Sequence, residues 1–378
     1  SAWEINANGI SDKTKTLRWP GWRERTGGIK TLSLAADGRV LVAGYGMKAG
    51  LVVLLDAEGN ILATNDTDGP NFPRAAVMLS AFAPDGKSAV IGSSDGKIWW
   101  WDLAKTFRVI AQFKPLVADF NRPACLEYLA ADKVLAVAQG GEVLQVTNPA
   151  AEKPLTTQLF DVGEKLRNST KQPTLQTQVF RAVLSPQQDW LACVTFSQYL
   201  LFCSLDGKQV RHHDLGERKF ARALAFEAKT GKLALAVAEA QAKNEFVIEG
   251  NDELQILENP LDSTKVKVAQ TLKHTYRADA LAWHPKDGRL AVAGGDNHEV
   301  ALWDLAKPEA PQRTIRGRGR CLWGVQISAD GASFAFQAER NPKATKPNER
   351  GQGAWHAFDM KFGKMVPAGK FVPPLQNA

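Results

Sequence analysis

The chain has 378 residues, 44% of them hydrophobic and 23% charged, enough to bury a large core, and a toroidal all-β fold uses such a length as one domain. Its 47 Lys and Arg against 40 Asp and Glu leave a net charge of +7, but the basic residues are spread without a polybasic run, which argues against nucleic acid as the partner. No apolar run approaches the roughly 18 residues of a membrane span, and the first 30 residues lack the apolar stretch of a signal peptide, so no membrane association is expected. Cys125, Cys193, Cys203 and Cys321 lie inside apolar runs with no C-x-x-C pair. That pattern predicts buried thiols in a reducing, cytoplasmic setting rather than a zinc site or a disulfide framework. The chain opens at Ser1 rather than Met, as it would if a leader or an upstream domain had been removed.

Residues 1–28 form an irregular arm carrying Trp3, Trp19 and Trp22 among charged residues. Exposed tryptophans are costly, so the arm is expected to lie against the body, closing a ring or supplying an outer strand. From Ile29 a pattern of short alternating strands and tight turns repeats. The first unit has Leu32 and Leu34, the turn Ala36-Asp37-Gly38, strands Val40–Ala43 and Leu51–Leu55, and Ile61–Ala63. The second has Val77–Phe82, the turn Pro84-Asp85-Gly86, Ser88–Ile91, a hairpin at Asp95-Gly96, the run Ile98-Trp99-Trp100-Trp101-Asp102, and Arg108–Phe113. A period of two puts Trp99 and Trp101 on one face and Trp100 on the other. Adjacent tryptophans suit a stacking platform for a ligand, but packing between neighbouring sheets is the plainer reading.

Five further units follow. They run over Ala124–Val146; Val179–Phe202 with a turn at Asp206-Gly207; Arg222–Leu272 with an insertion after Val237; Ala278–Ile315; and Leu322–Asp359 with an insertion after Phe336. Seven copies at roughly 43 residues need about 300, and the surplus marks where function is expected. Residues 29–366 are read as one body without an internal boundary, and 367–378 as a tail.

Turns between the first and second strand of each unit are short throughout, as at Asp37-Gly38, Asp132-Lys133 and Asp287-Gly288. The long connections are Thr64–Ala76, Phe160–Gln178 and Gln312–Arg320 between units, and Glu239–Asn251 and Ala338–Gly353 between second and third strands. In a ring of antiparallel units all five fall on one rim. Long loops on a rigid scaffold carry function more often than tight turns do. Tolerated insertion is the bland alternative, and it does not predict one-sidedness. Two of these loops are basic: Arg313, Arg316, Arg318 and Arg320, interleaved with Gly317 and Gly319, and then Arg340, Lys343, Lys346 and Arg350, partly offset by Glu339 and Glu349. Guanidinium forks set among glycines take carboxylates or phosphates in bidentate pairs, so these eight residues are the candidate partner-binding set. Glu239, Glu245, Glu249 and Asp252 make another loop acidic. A rim polarised in this way suits a protein surface.

The segment from Lys273 to Asp304 resembles one blade of a WD40 propeller. His274, Trp283, Pro285 and Trp303-Asp304 stand where that repeat has its GH, aromatic, SP and WD positions. The resemblance implies an all-β fold, a seven-bladed WD40-type β-propeller of four-stranded antiparallel blades. It also implies that His274, Asp296 and Trp303 form a buried structural hydrogen-bond chain, shortened because the second strand offers Ala291–Ala293 in place of a hydroxyl residue. Pro73 stands at the His position of the second unit, where Asp95 and Trp101 remain.

His212, His213, His284 and His298 are not spaced from carboxylates or cysteines as metal ligands or a nucleophile–base pair require. Gly317-Arg318-Gly319 does not follow a strand and open a helix, so a phosphate loop is not expected there. No catalytic set, metal or cofactor is expected. The run from Arg316 to Asp359, with RGRGRCLWGVQISADGASFAFQAERN and its final FD, resembles a blade of bacterial, planctomycete-type proteins in which WD40 repeats follow a caspase-like protease domain. That resemblance implies a regulatory or substrate-selecting propeller attached to, or partnering, such a protease. The sequence is therefore read as a non-catalytic protein-interaction scaffold. A propeller enzyme or small-ligand binder with its site at the mouth of the central channel is the alternative.

Overall fold

A computed structural model describes residues 2–6, 9–15, 26–35, 37–46, 50–56, 60–65, 72–103, 106–116, 121–239, 252–258, 260–261, 266–284, 286–294, 299–311, 313–316, 322–327, 333–338, 355–359 and 364–366. A hairpin, β1 (Ala2–Asn6) and β2 (Gly9–Lys15), precedes seven four-stranded antiparallel sheets. Sheet 1 holds β3 (Thr26–Leu34), β4 (Val40–Gly46), β5 (Gly50–Leu55) and β6 (Ile61–Thr64). Sheet 2 holds β7 (Val77–Phe82), β8 (Ala89–Ser93), β9 (Lys97–Trp101) and β10 (Phe107–Gln112). Sheet 3 holds β11 (Pro123–Ala130), β12 (Lys133–Ala138), β13 (Glu142–Thr147) and β14 (Leu155–Asp161). In sheet 4 come β15 (Val179–Leu184), β16 (Trp190–Thr195), β17 (Tyr199–Ser204) and β18 (Val210–Asp214). Sheet 5 is built from β19 (Lys219–Phe226), β20 (Leu233–Glu239), β21 (Glu253–Glu258) and β22 (Lys267–Lys273). Sheet 6 has β23 (Ala278–Trp283), β24 (Leu290–Gly294), β25 (Glu299–Trp303) and β26 (Arg313–Arg316), and sheet 7 has β27 (Leu322–Ile327), β28 (Ser333–Ala338), β29 (Trp355–Asp359) and β30 (Lys364–Val366).

The first strand of each sheet lies beside the first strand of the next, from β3 through β7, β11, β15, β19 and β23 to β27. Core forms in the gaps between successive sheets rather than within any one. Leu41, Val52, Ile91, Trp99 and Trp101 fill the gap between sheets 1 and 2; Val90, Ile98, Phe113, Val134 and Val146 fill that between sheets 2 and 3. The same arrangement continues to Leu254, Leu290, Val292 and Trp303 between sheets 5 and 6. This sandwiching explains why middle strands such as β16 (WLACVT) and β17 (YLLFCS) are buried at every residue and read as continuous apolar runs, since both of their faces are covered. The Trp triplet packs as the plainer reading expected. Trp99 and Trp101 enter one gap, and Trp100 lies against the other with the Arg108 guanidinium 5.1 Å from its ring centre.

Three elements differ from the sequence expectation. Residues 1–28 are not an irregular arm throughout, since β1 and β2 pair as a hairpin and β3 already begins at Thr26. The connection 160–178 contains a helix, α1 (Val162–Thr170). Asp161 caps it by accepting the Glu164 amide at 2.8 Å, and Val162 and Leu166 are buried between sheets 3 and 4. The connection read as Gln312–Arg320 begins instead with β26, so Arg313 and Arg316 belong to an outer strand and face Leu302 and Glu299 across the ladder. The N-terminal hairpin lies with β1 against β30, the outer strand of sheet 7.

Candidate functional site

Because each sheet runs antiparallel from the inside out, all the inner strands begin at one rim. Connections between sheets, and those between second and third strands, emerge there. The described strand ends that bound the connections 65–76, 162–178, 240–252 and 339–354 therefore all lie on one side of the ring. At the opposite rim, first-to-second connections are tight turns in which Gly38, Gly86, Gly231 and Gly288 take positive φ, as Gln188 does at 57°. The longest connection on that side is 304–312.

The candidate partner-binding residues Arg318, Arg320, Arg340, Lys343, Lys346 and Arg350 lie outside the described residues, as does Asp296. His274 is buried with its ring edge against Trp303 at 6.2 Å and against Tyr276 at 6.2 Å, and Trp303 Nε1 has no hydrogen-bond partner among the described residues. Burial pushes the His274 imidazole down to about 4, so it is neutral. A polar chain of three residues is present in sheet 2. There Trp99 Nε1 donates to Ser93 Oγ at 3.1 Å and Ser93 Oγ donates to Asp95 Oδ1 at 2.5 Å. The tryptophan in this chain is Trp99, two residues before the Trp101 that stands at the WD position. His284 also has a local role, since its Nδ1 accepts the amides of Lys286 and Asp287, both at 3.2 Å, much as Ser185 Oγ accepts the Trp190 amide at 3.0 Å in sheet 4.

A second feature was not visible in the repeat pattern. In all seven sheets the pairing of the inner strand with its neighbour skips one residue at the equivalent place, near the loop-rich rim. The residues skipped are Lys30, Met78, Ala124, Phe180, Arg222, Asp279 and Trp323. A bulge of this kind releases a residue from the ladder and re-aims the chain locally.

Around these bulges, on sheets 3 to 6, lies a buried ionic cluster. Arg222 Nε stands 3.3 Å from Asp252 Oδ2, and that same oxygen accepts the Ala278 amide at 2.7 Å. Arg277 Nε donates to Asp279 Oδ2 at 2.8 Å. From sheet 4, Arg181 reaches past sheet 5 to the Asp279 carbonyl oxygen at 3.5 Å, which puts the cluster in the middle of the ring. Phe180 and Phe220 lie under the Arg181 and Arg222 guanidiniums at 5.7 and 5.1 Å, holding their planes by cation–π contact.

Asp252, Arg277 and Asp279 are only 2%, 8% and 9% exposed, so these charges act across a weakly screening interior. Burial raises the Asp252 carboxyl to about 6 against the opposing pull of Arg222. It raises Asp279 against the pull of Arg277. Burial likewise lowers Arg181, with Asp279 opposing and the like charge of Arg122 adding to it, and lowers Arg122 itself. On the far side of the ring the inner strands carry hydroxyls instead. Ser33 Oγ lies 2.7 Å from Ser80 Oγ, and Thr31 Oγ1 lies 3.3 Å from the same atom.

Among the described residues no group of three or more His, Cys, Asp or Glu is placed to hold a metal ion. Cys125, Cys193 and Cys203 are free and buried, and burial raises all three thiols, Cys203 to about 12, which keeps them protonated and unreactive. No helix among the described residues is long and apolar enough to cross a membrane.

No protein-family model and no curated protein matches the chain. Among solved structures, the β-propeller domain of Myceliophteria thermophila Cps50 (Swd1) superposes with a TM-score of 0.61, covering 83% of this chain and 94% of that one at 14% identity. The fold is a β-propeller. At that identity the likeness concerns the fold alone, and it accords with the WD40 pattern of residues 273–304. The ionic cluster therefore sits at the loop-rich mouth of the propeller's central channel.

Proposed function

We propose that this propeller is a non-catalytic interaction scaffold that engages a protein partner through its loop-rich rim. The observation that carries the reading is the one-sided placement of the long connections. The strands flanking the connections 65–76, 162–178, 240–252 and 339–354 all end beside the mouth of the channel, while the other rim keeps tight first-to-second turns. A propeller of packed sheets presents such loops without loss of its own core, because that core lies between the sheets. The basic residues Arg316, Arg318, Arg320 and Arg350, with Arg313, Arg340, Lys343 and Lys346, would meet an acidic partner surface. The arm at 1–28 is read as packing on the propeller beside its last sheet. The narrower reading, a regulatory or substrate-selecting module of a bacterial caspase-like protease system in the cytoplasm, rests on the resemblance of residues 316–359 alone.

Changing Arg318, Arg320 and Arg350 together to Glu, and leaving Arg316 in place opposite Glu299, should abolish partner capture while leaving the melting temperature unchanged. Capture that survives the charge reversal would refute the reading.

A further inference from the structure

Charge count and geometry single out the channel mouth. Four guanidiniums, Arg122, Arg181, Arg222 and Arg277, face two carboxylates, Asp252 and Asp279, which leaves an excess of two positive charges (4 − 2) among the described residues. A cluster whose role were only to join the sheets would balance its charges, since an uncompensated buried charge costs several kcal/mol where a paired one costs far less. The excess sits on the sheet 3 and sheet 4 side, where the backbone of Gln139 bridges the two segments that carry Arg122 and Arg181, its amide donating to the Arg122 carbonyl and its carbonyl accepting the Val179 amide, both at 2.8 Å. Arg181 provides an independent sign. Its Nε is wholly covered and has no hydrogen-bond partner among the described residues, although the side chain as a whole stays partly open. Buried polar groups are nearly always paired, so a guanidinium without a full set of partners among the described residues, beside an unbalanced positive charge and still partly open, points to an acceptor from outside the cluster.

We infer that the channel mouth is an oxyanion site in which Arg181 and Arg122, backed by the Arg222–Asp252 and Arg277–Asp279 pairs, take a phosphate or carboxylate group. Guanidinium forks match either group in bidentate fashion, and the phenylalanine under Arg181 fixes its plane so that little freedom is lost on binding. The two carboxylates set the size of the charge the site accepts. With both ionised it balances a dianion, and each is paired with one arginine, Asp252 with Arg222 and Asp279 with Arg277. No chemistry on the ligand is implied, and the site does not depend on the partner reading above.

Isothermal titration of the full chain with inorganic phosphate and, separately, with succinate, at constant ionic strength held with chloride, distinguishes the two sources of the oxyanion. Saturable binding of one equivalent of either, weakened about 10-fold or more by Arg181→Gln, is the expected result. Absence of saturable binding of both ions up to about 10 mM would overturn the inference. So would binding that is equal in the wild type and in Arg181→Gln. Should Arg181→Gln not fold, Arg122→Gln makes the same comparison, and an unchanged affinity there counts against the site.

Discussion

His274 offers a quantitative test of how the sheets pack. The imidazole is buried between sheets 5 and 6 with its edges on Trp303 and Tyr276, and its folded-state value of about 4 lies well below the 6.5 of an exposed histidine. A depressed folded-state value means that the unfolded chain takes up the proton first as the solution is acidified. The stability His274 supports is therefore complete above pH 6.5 and is lost as pH falls through 6.5 toward 4. The gap between those two values corresponds to about 3 kcal/mol. Urea unfolding of the wild type and of His274→Phe at a series of pH values measures this directly. The variant's own packing offset is the same at each pH, so the difference between the two proteins should change by about 3 kcal/mol across that window, against the wild type at the acid end. Parallel curves for the two proteins would show that the imidazole is solvated and that the gap between sheets 5 and 6 is looser than described.

Asp252 should show the opposite sign. Its folded-state value of about 6 lies above the ordinary 3.8, so its contribution is present in full below pH 3.8 and is lost as pH rises through 6; the stability of the wild type relative to Asp252→Asn should fall by about 3 kcal/mol from pH 4 to 7, and a constant difference would contradict the burial of the Arg222–Asp252 pair. Ser93→Ala removes the acceptor of Trp99 Nε1 and the donor to Asp95, and should cost about 1–3 kcal/mol in chemical denaturation. An unchanged midpoint would mean that the chain Trp99–Ser93–Asp95 contributes nothing. At Gly294 an added Cβ would stand 2.0 Å from the Arg277 carbonyl oxygen, so Gly294→Ala should shift the strand that carries Arg277 and Asp279 and lower the melting temperature; a variant as stable as the wild type would deny that close approach.

Most of the scaffold is local in origin, which is why it could be read from the sequence. The Asp-Gly turns, the alternation in Val77–Phe82 and the continuous apolar runs of β16 and β17 each arise within a few residues, and the repeat multiplied the signal seven times. Helix α1 escaped because a 9-residue segment with only Val162 and Leu166 on its buried side has little periodicity. Asp161 followed three residues later by Glu164 was the available sign, an N-cap pattern ahead of that apolar pair. The WD dipeptide points to Trp101 for the polar chain of sheet 2, whereas the Ser93 hydroxyl meets the indole N–H of Trp99.

The ionic cluster is non-local. Arg122, Arg181, Arg222, Asp252, Arg277 and Asp279 come from four sheets, and nothing in their spacing resembles a motif. One trace does exist. Charged residues interrupt otherwise apolar inner strands in Val179–Leu184, Lys219–Phe226 and Ala278–Trp283, close to the residue that each bulge releases. A repeat aligned by its inner strands rather than by its WD positions would have brought these charges together.

The rim carrying the channel mouth and the long connections is proposed as the recognition face. The most direct measurement is hydrogen–deuterium exchange of the propeller with and without its captured partner. Protection is expected at residues 65–76, 162–178, 240–252 and 317–321 and at the starts of β11, β15, β19 and β23. Protection confined to the opposite rim, at the turns around Gly38, Gly86, Gly231 and Gly288, would contradict it.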